Sequence, residues 1–132
     1  NMSLIRKARQ INENKPLKVA EKIYKHIRYM NLSECAKILL LGFSYKPNSG
    51  DIRNTKVAVV LNELTKQGFH TDCFDPLVNK DEVLEVYGLR LLSAPIDIQE
   101  YDLVVVMVEH DALAPTILAC EKKNMIKLRS IL

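Results

Sequence analysis

Cysteine is scarce in this chain and poorly placed for any structural use. The three cysteines among 132 residues, Cys35, Cys73 and Cys120, are widely spaced and form neither a C-x-x-C pair nor a ligand cluster with the three histidines. That argues against a disulfide framework and against a metal site such as zinc. No apolar run approaches the roughly 18 residues of a membrane span, and no secretory hydrophobic segment stands near the start. The compartment this implies is the reducing cytoplasm. Glycine is limited to four residues, and none builds the G-x-G-x-x-G turn after a strand that a complete dinucleotide site requires. Nineteen basic and 16 acidic residues leave a net charge of +3, spread along the chain. So mild a charge implies neither nucleic acid nor membrane as a partner. Internal repeats and low-complexity tracts are also missing.

What is present fits one domain able to bury a core: 48% of residues are apolar and 27% charged. The stretch from Lys37 to Lys56, KILLLGFSYKPNSGDIRNTK, changes character twice. Ile38–Leu41 is an unbroken apolar run, as expected of a strand covered on both faces of a sheet. Gly42 ends it, a polar loop carries Lys46, Pro47, Asn48, Gly50, Asp51 and Arg53, and helical periodicity runs from Lys56 to Gln67. A strand, a long loop and a helix start are where an open α/β sheet binds ligands, at the carboxyl ends of its strands.

Around this stretch, residues 3 to 30 have helical periodicity. Leu4, Ile5, Ala8 and Ile11 form one stripe, and Leu17, Ala20, Ile23, Tyr24 and Ile27 a second, with a break expected at Asn12–Pro16. The second stripe either packs on the sheet or serves as a connector to another domain or subunit. After a linker from Asn31 to Ala36, strands are expected at Phe69–Phe74, Leu89–Leu92, Leu103–Val108 and within Ile126–Leu132. Helices are expected at Asp81–Tyr87, closed by Gly88, and at Ala112–Lys122. The alternation predicts an α/β fold with a parallel, doubly wound sheet.

In such a sheet the loops after Leu41 and Val108 should share a crevice, bringing Tyr45, Lys46, Asp51 and Arg53 near Glu109, His110 and Asp111. A lysine point charge, an arginine fork and the first amides of a helix suit a phosphate. An exposed turn would be written with the same residues, and Asp51 could simply pair with Arg53. Spacing alone leaves both open. His110 reads as a loop histidine rather than a catalyst, and the cysteines as small buried residues.

Residues Gly42 to Thr55, GFSYKPNSGDIRNT, resemble the signature of the UDP-glucose/GDP-mannose dehydrogenase family in its C-terminal, nucleotide-sugar-binding domain: a glycine, an aromatic-lysine pair, then D-x-R with Ser or Thr close behind. Asp75-Pro76 with Glu82 and Tyr87-Gly88 is similar to the family's Asp-Pro turn and following helix, and Val108–Asp111 to its V-x-H-[DE] segment. Ala8–Asn12 with Pro16 resembles part of the long central helix. The resemblance implies a mostly parallel Rossmann-like sheet over residues 34–132, preceded by a helical connector over 1–33. It further implies a role in NAD-dependent oxidation of the C6 alcohol of a nucleotide sugar to a carboxylate. By the same resemblance Tyr45 and Lys46 bind the nucleotide-sugar substrate, the residues after them to Ile52, Asp51 included, line the same site, and Arg53 reaches the NAD cofactor. Within that site Asp51 is assigned to bracing the loop, because a carboxylate beside a diphosphate suits a cation better than the ligand. A homodimer in the full-length protein is implied too, since the family's central helix also builds its dimer. The D-I-R-N-T form and the stretch from Asp75 to Gly88 lean towards members acting on UDP-N-acetylhexosamines.

The family's NAD-binding domain, catalytic cysteine and catalytic lysine have no counterpart here, so the chain reads as a fragment with no catalytic residues, inactive alone. Two other classes compete: a stand-alone flavodoxin-like binding or regulatory module, and a structural dimerisation unit built on residues 3–30. Gly42-Phe43 offers no acidic residues for a phospho-receiver, and His110 has no D-x-H-x-x-G context for cobalamin.

Overall fold

Four parallel strands form the centre of the computed structural model, in the order β2-β1-β3-β4. It describes residues 2–121 and 124–131, with side chains from Lys15 onward. The strands are β1 (Lys37–Leu41), β2 (His70–Phe74), β3 (Leu103–Val106) and β4 (Met125–Lys127); the helices are α1 (Met2–Tyr29), α2 (Val57–Lys66), α3 (Lys80–Tyr87), α4 (Ala114–Ala119) and α5 (Leu128–Ile131). In register, Leu39 lies beside Asp72 on one side and Val104 on the other. The chain leaves β1 in one direction to reach β2 and in the other to reach β3, so the order reverses between β1 and β3, where such sheets open a crevice.

Both faces are covered, which is why the central strands read as continuous apolar runs. Ile38, Leu40, Leu103 and Val105 point into a core shared with Val19, Ala20, Ile23 and Ile27 of α1, with Val57, Ala58, Val60, Leu61 and Leu64 of α2, and with Val83 of α3. Leu39, Leu41, Val104 and Val106 point the other way, onto Tyr101, Leu113 and Cys120. The alternation follows from the two-residue period of a strand. Among the described residues no buried side-chain polar atom lacks a hydrogen-bond partner, and no helix is long and apolar enough to cross a membrane.

Four expectations need correction. α1 runs unbroken through Pro16 instead of stopping there. A proline removes one hydrogen bond and crowds the preceding turn, a cost of about 3 kcal/mol that does not oblige a helix to end. Of its two expected stripes, the first, Leu4 to Ile11, lies outside the residues whose side chains are described. Ala20, Ile23 and Ile27 of the second are buried, whereas Leu17 is 42% exposed. The second stripe packs on α2 and the sheet. Leu89–Leu92 is not a strand: its Leu92 amide donates one bond to the Cys73 carbonyl and no ladder follows. With Arg90 in a four-residue run, only Leu91 is buried, too little to hold an edge strand in register. At the end of the chain the strand is Met125–Lys127 and helix α5 takes over from Leu128. The expected helix over Ala112–Lys122 is a single 3-10 turn, Asp111–Leu113, followed by α4. Lys122 and Leu132 lie outside the described residues.

Candidate functional site

Three loops meet at the carboxyl edge of the sheet, and the carboxylate of Asp75 joins them. Asp75 follows directly on β2 and is 3% exposed. Its Oδ2 accepts from the backbone amides of Phe43 (2.7 Å) and Ser44 (3.1 Å) in the β1 loop. The same oxygen lies 2.8 Å from His110 Nε2, in the segment after β3. Oδ1 accepts from the Leu77 amide at 2.8 Å. Ser44, also buried, donates its hydroxyl proton to the Lys46 carbonyl (3.0 Å) and sits 3.2 Å from His110 Nε2. His110 Nδ1 accepts from the Asn48 amide at 2.8 Å. Asn48 and Asp111 exchange two further bonds, Asp111 N to Oδ1 (2.8 Å) and Asn48 Nδ2 to Asp111 Oδ2 (3.2 Å). The expected meeting of the loops after Leu41 and Val108 is therefore real.

Two glycines make this approach possible. Gly42 has φ +93°, and a Cβ there would stand 2.6 Å from the Val108 carbonyl oxygen. At Gly50 a Cβ would meet the Leu77 carbonyl oxygen at 2.5 Å. On the far side of the loop the Thr55 hydroxyl donates to the Phe43 carbonyl and accepts from the Val57 amide (3.1 Å), which caps the start of α2. The Tyr87 hydroxyl donates to the Ile52 carbonyl at 2.6 Å, and its ring meets Phe43 edge-on at 5.5 Å. The loop is thus held from both sides.

The side chains left to face solvent are those expected to bind. Tyr45 is 57% exposed and borders three adjoining cavities. One of about 230 Å³ is lined by Lys15, Val19, Lys56 and Met107. A groove of about 610 Å³ runs past Pro16, Leu17, Asn54, Thr55 and Val59. A third, also about 230 Å³, lies against Pro47, Glu109, Leu128 and Arg129. Arg53 grips Asp51 in a two-pronged pair, Nε to Oδ1 at 3.0 Å and Nη2 to Oδ2 at 2.8 Å. That pairing holds the Asp51 carboxyl at about 2, below the usual carboxylate range, with the Arg53 amide bond adding to it. Glu109 in turn pairs with Lys127 (3.3 Å) and Arg129 (3.1 Å). Lys15, Lys46 and Lys56 have no ion-pair partner among the described residues. The rim around Tyr45 is therefore cationic and suits an anionic ligand with a flat, apolar part.

Sequence reasoning brought Tyr45, Lys46, Asp51 and Arg53 to one loop, and the structure has them there. It missed Lys15, Lys56 and Arg129, which come from three separate elements. It placed His110 at the crevice as a loop histidine, where the structure buries it, and it gave neither His110 nor Asp75 a part in holding the loops together. Asp75 offered one signal: an Asp-Pro pair, Asp75-Pro76, directly at the carboxyl end of a strand. Cys73 and Cys120 are buried, and burial pushes the Cys73 thiol well up, helped by Asp75 and Asp72. Cys35 is exposed but precedes β1, at the opposite edge of the sheet.

Residues 39–132 match the model of the UDP-glucose/GDP-mannose dehydrogenase family, UDP binding domain. The chain is 35% identical over 108 residues to a UDP-N-acetyl-D-glucosamine 6-dehydrogenase of Salmonella typhi, covering 81% of this chain and 25% of that protein. It is 32% identical over 111 residues to a UDP-N-acetyl-D-mannosamine dehydrogenase of Methanocaldococcus jannaschii, covering 84% and 24%. The chain spans about a quarter of the length of these curated relatives. Among solved structures, a UDP-D-ManNAc dehydrogenase from Pyrococcus horikoshii superposes with a TM-score of 0.70 at 21% identity, over 100% of this chain and 31% of that one. At that identity the likeness speaks for the fold.

Proposed function

The chain belongs to the UDP-glucose/GDP-mannose dehydrogenase family, and from that premise we propose that its crevice holds the nucleotide diphosphate of a UDP-sugar. Residues 34–132 are the nucleotide-sugar-binding domain and residues 1–33 a helical connector. The single observation that carries the reading is the loop of Tyr45 and Lys46, tied down by buried hydrogen bonds at the carboxyl edge of the sheet and rimmed by lysines that have no ion-pair partner among the described residues. Tyr45 and Lys46 contact the substrate, and Asp51 serves by bracing Arg53. The parent enzyme oxidises the sugar's C6 alcohol to a carboxylate, and the N-acetylhexosamine names among the relatives favour that class of sugar.

The residues present also fit an edge of NAD. Of the five N–H donors on a guanidinium, Asp51 engages two of Arg53's, and the side chain is 84% exposed. The remaining donors are open to a pyrophosphate presented from outside this chain. NAD, when bound, supplies the hydride acceptor. This chain's contribution is a fixed cation at its surface.

Calorimetric titration tests the reading. UDP is expected to bind more tightly than GDP, and Lys46→Ala to weaken UDP about tenfold, the loss of one charge-assisted contact. Lys46 lies in an exposed loop, so the variant should unfold at the same denaturant concentration as the parent. Equal affinity of the two proteins, or no heat with either nucleotide, would count against the crevice. A second expectation concerns turnover. Among the described residues no exposed thiol faces the crevice, since Cys73 and Cys120 are buried and Cys35 precedes β1 at the opposite edge, so the chain supplied with UDP-sugar and NAD is expected to produce no NADH. Steady absorbance growth at the NADH band would overturn that.

A further inference from the structure

We propose that His110 is a positioning residue for the nucleotide-sugar loop, acting through its Nδ1 atom on the backbone of Asn48. The proposal rests on the nucleotide-binding reading above and adds the residue that sets the loop's shape. His110 is 1% exposed. Its Nδ1 lies 2.8 Å from the Asn48 backbone nitrogen. A backbone N–H can only donate, so Nδ1 carries no proton. The ring proton is then on Nε2, directed at Asp75 Oδ2 at 2.8 Å with Ser44 Oγ at 3.2 Å. The bond from Asn48 thus fixes one neutral tautomer, with Nε2 as the donor to the buried carboxylate.

The Nδ1 bond is made at the apex of the loop. Asn48 has φ +61°, a turn conformation that asparagine tolerates better than most residues. The base of the loop is closed separately, by the Tyr45 amide donating to the Asp51 carbonyl at 2.9 Å. Tyr45 and Lys46 thus lie between a pin at the base and a pin at the apex. Cutting the Nδ1 bond leaves the core of the network in place and the turn held only through the exposed side-chain bonds between Asn48 and Asp111, so the ligand must re-order the loop backbone on binding. His110 touches no ligand in this scheme; it acts through Asn48.

Two substitutions separate the two ends of the ring. In His110→Asn the amide oxygen stands where Nδ1 stood and can accept from Asn48, while the donor to Asp75 is lost. In His110→Gln the longer amide reaches Asp75 but leaves the Asn48 N–H without its acceptor. Hydrogen exchange of the Asn48 amide, followed by NMR, is expected to stay slow in His110→Asn and to quicken in His110→Gln. UDP affinity is expected to fall about tenfold in His110→Gln, one lost positioning bond, and by less than about threefold in His110→Asn. The unfolding midpoint should fall further in His110→Asn, which strips a donor from Asp75. A purely structural histidine would make affinity follow stability, with His110→Asn the weaker binder. That order, or unchanged Asn48 exchange in His110→Gln, would overturn the proposal. If the unsubstituted chain binds no UDP, the nucleotide reading fails instead, and the exchange measurement alone decides whether His110 sets the loop.

Discussion

Asp75→Ala is expected to cost the fold roughly 3–5 kcal/mol and to abolish nucleotide binding. Four N–H groups converge on this buried carboxylate: the amides of Phe43, Ser44 and Leu77 and Nε2 of His110. Each buried donor left without an acceptor costs about 1–3 kcal/mol. The costs do not simply add, because relaxation and an entering water recover part of them. Asp75→Asn is the informative companion. Three of the four donors meet Oδ2 and one, from Leu77, meets Oδ1. An amide can turn its oxygen towards the three and set its NH2 against the fourth, so a loss of only about 1–3 kcal/mol is expected. Urea unfolding monitored by circular dichroism ranks the three proteins. An Asp75→Ala variant within about 1 kcal/mol of the parent would show that the carboxylate does not hold the loops together.

Gly42→Ala should destabilise by roughly 2–6 kcal/mol, the sum of two costs at one position. Its φ of +93° is unfavourable for any residue with a side chain, worth about 1–3 kcal/mol. The new methyl would also lie 2.6 Å from the Val108 carbonyl oxygen, 2.7 Å from Val108 Cβ and 2.8 Å from Val108 N. Two of those atoms are backbone, in a segment pinned by the Met107 and Val108 amides donating to the Leu41 carbonyl at 2.8 and 3.2 Å. Such overpacking adds about 1–3 kcal/mol. The clash also drives apart the two loops that meet at His110, so UDP affinity should fall along with the unfolding midpoint. A variant with an unchanged midpoint would mean that the strand ends can separate freely.

The α/β class, the parallel sheet and the main strands could be read along the chain, because a strand covered on both faces writes itself as an apolar run such as Ile38–Leu41 or Leu103–Val106. The limits of local reading show at Pro16 and at Leu89–Leu92. A proline lowers helix stability by a finite amount, and the surrounding structure decides whether the helix continues. A short apolar run becomes a strand only if a neighbour offers a ladder, and beside β2 this one makes a single bond.

The candidate site divides the same way. Tyr45, Lys46, Asp51 and Arg53 are close in sequence, so one loop motif brought them together on the page. Lys15, Lys56 and Arg129 come from α1, the start of α2 and α5, and nothing local marks them as neighbours of Tyr45. Asp75 and His110 are 35 positions apart and meet at 2.8 Å. By itself the sequence determined the two central buried strands and the single loop that holds Tyr45, Lys46, Asp51 and Arg53, since both are written in local pattern. Only the tertiary structure decided that one carboxylate and one neutral histidine would hold that loop in shape, because hydrogen bonds between strand ends depend on the order in which the strands assemble.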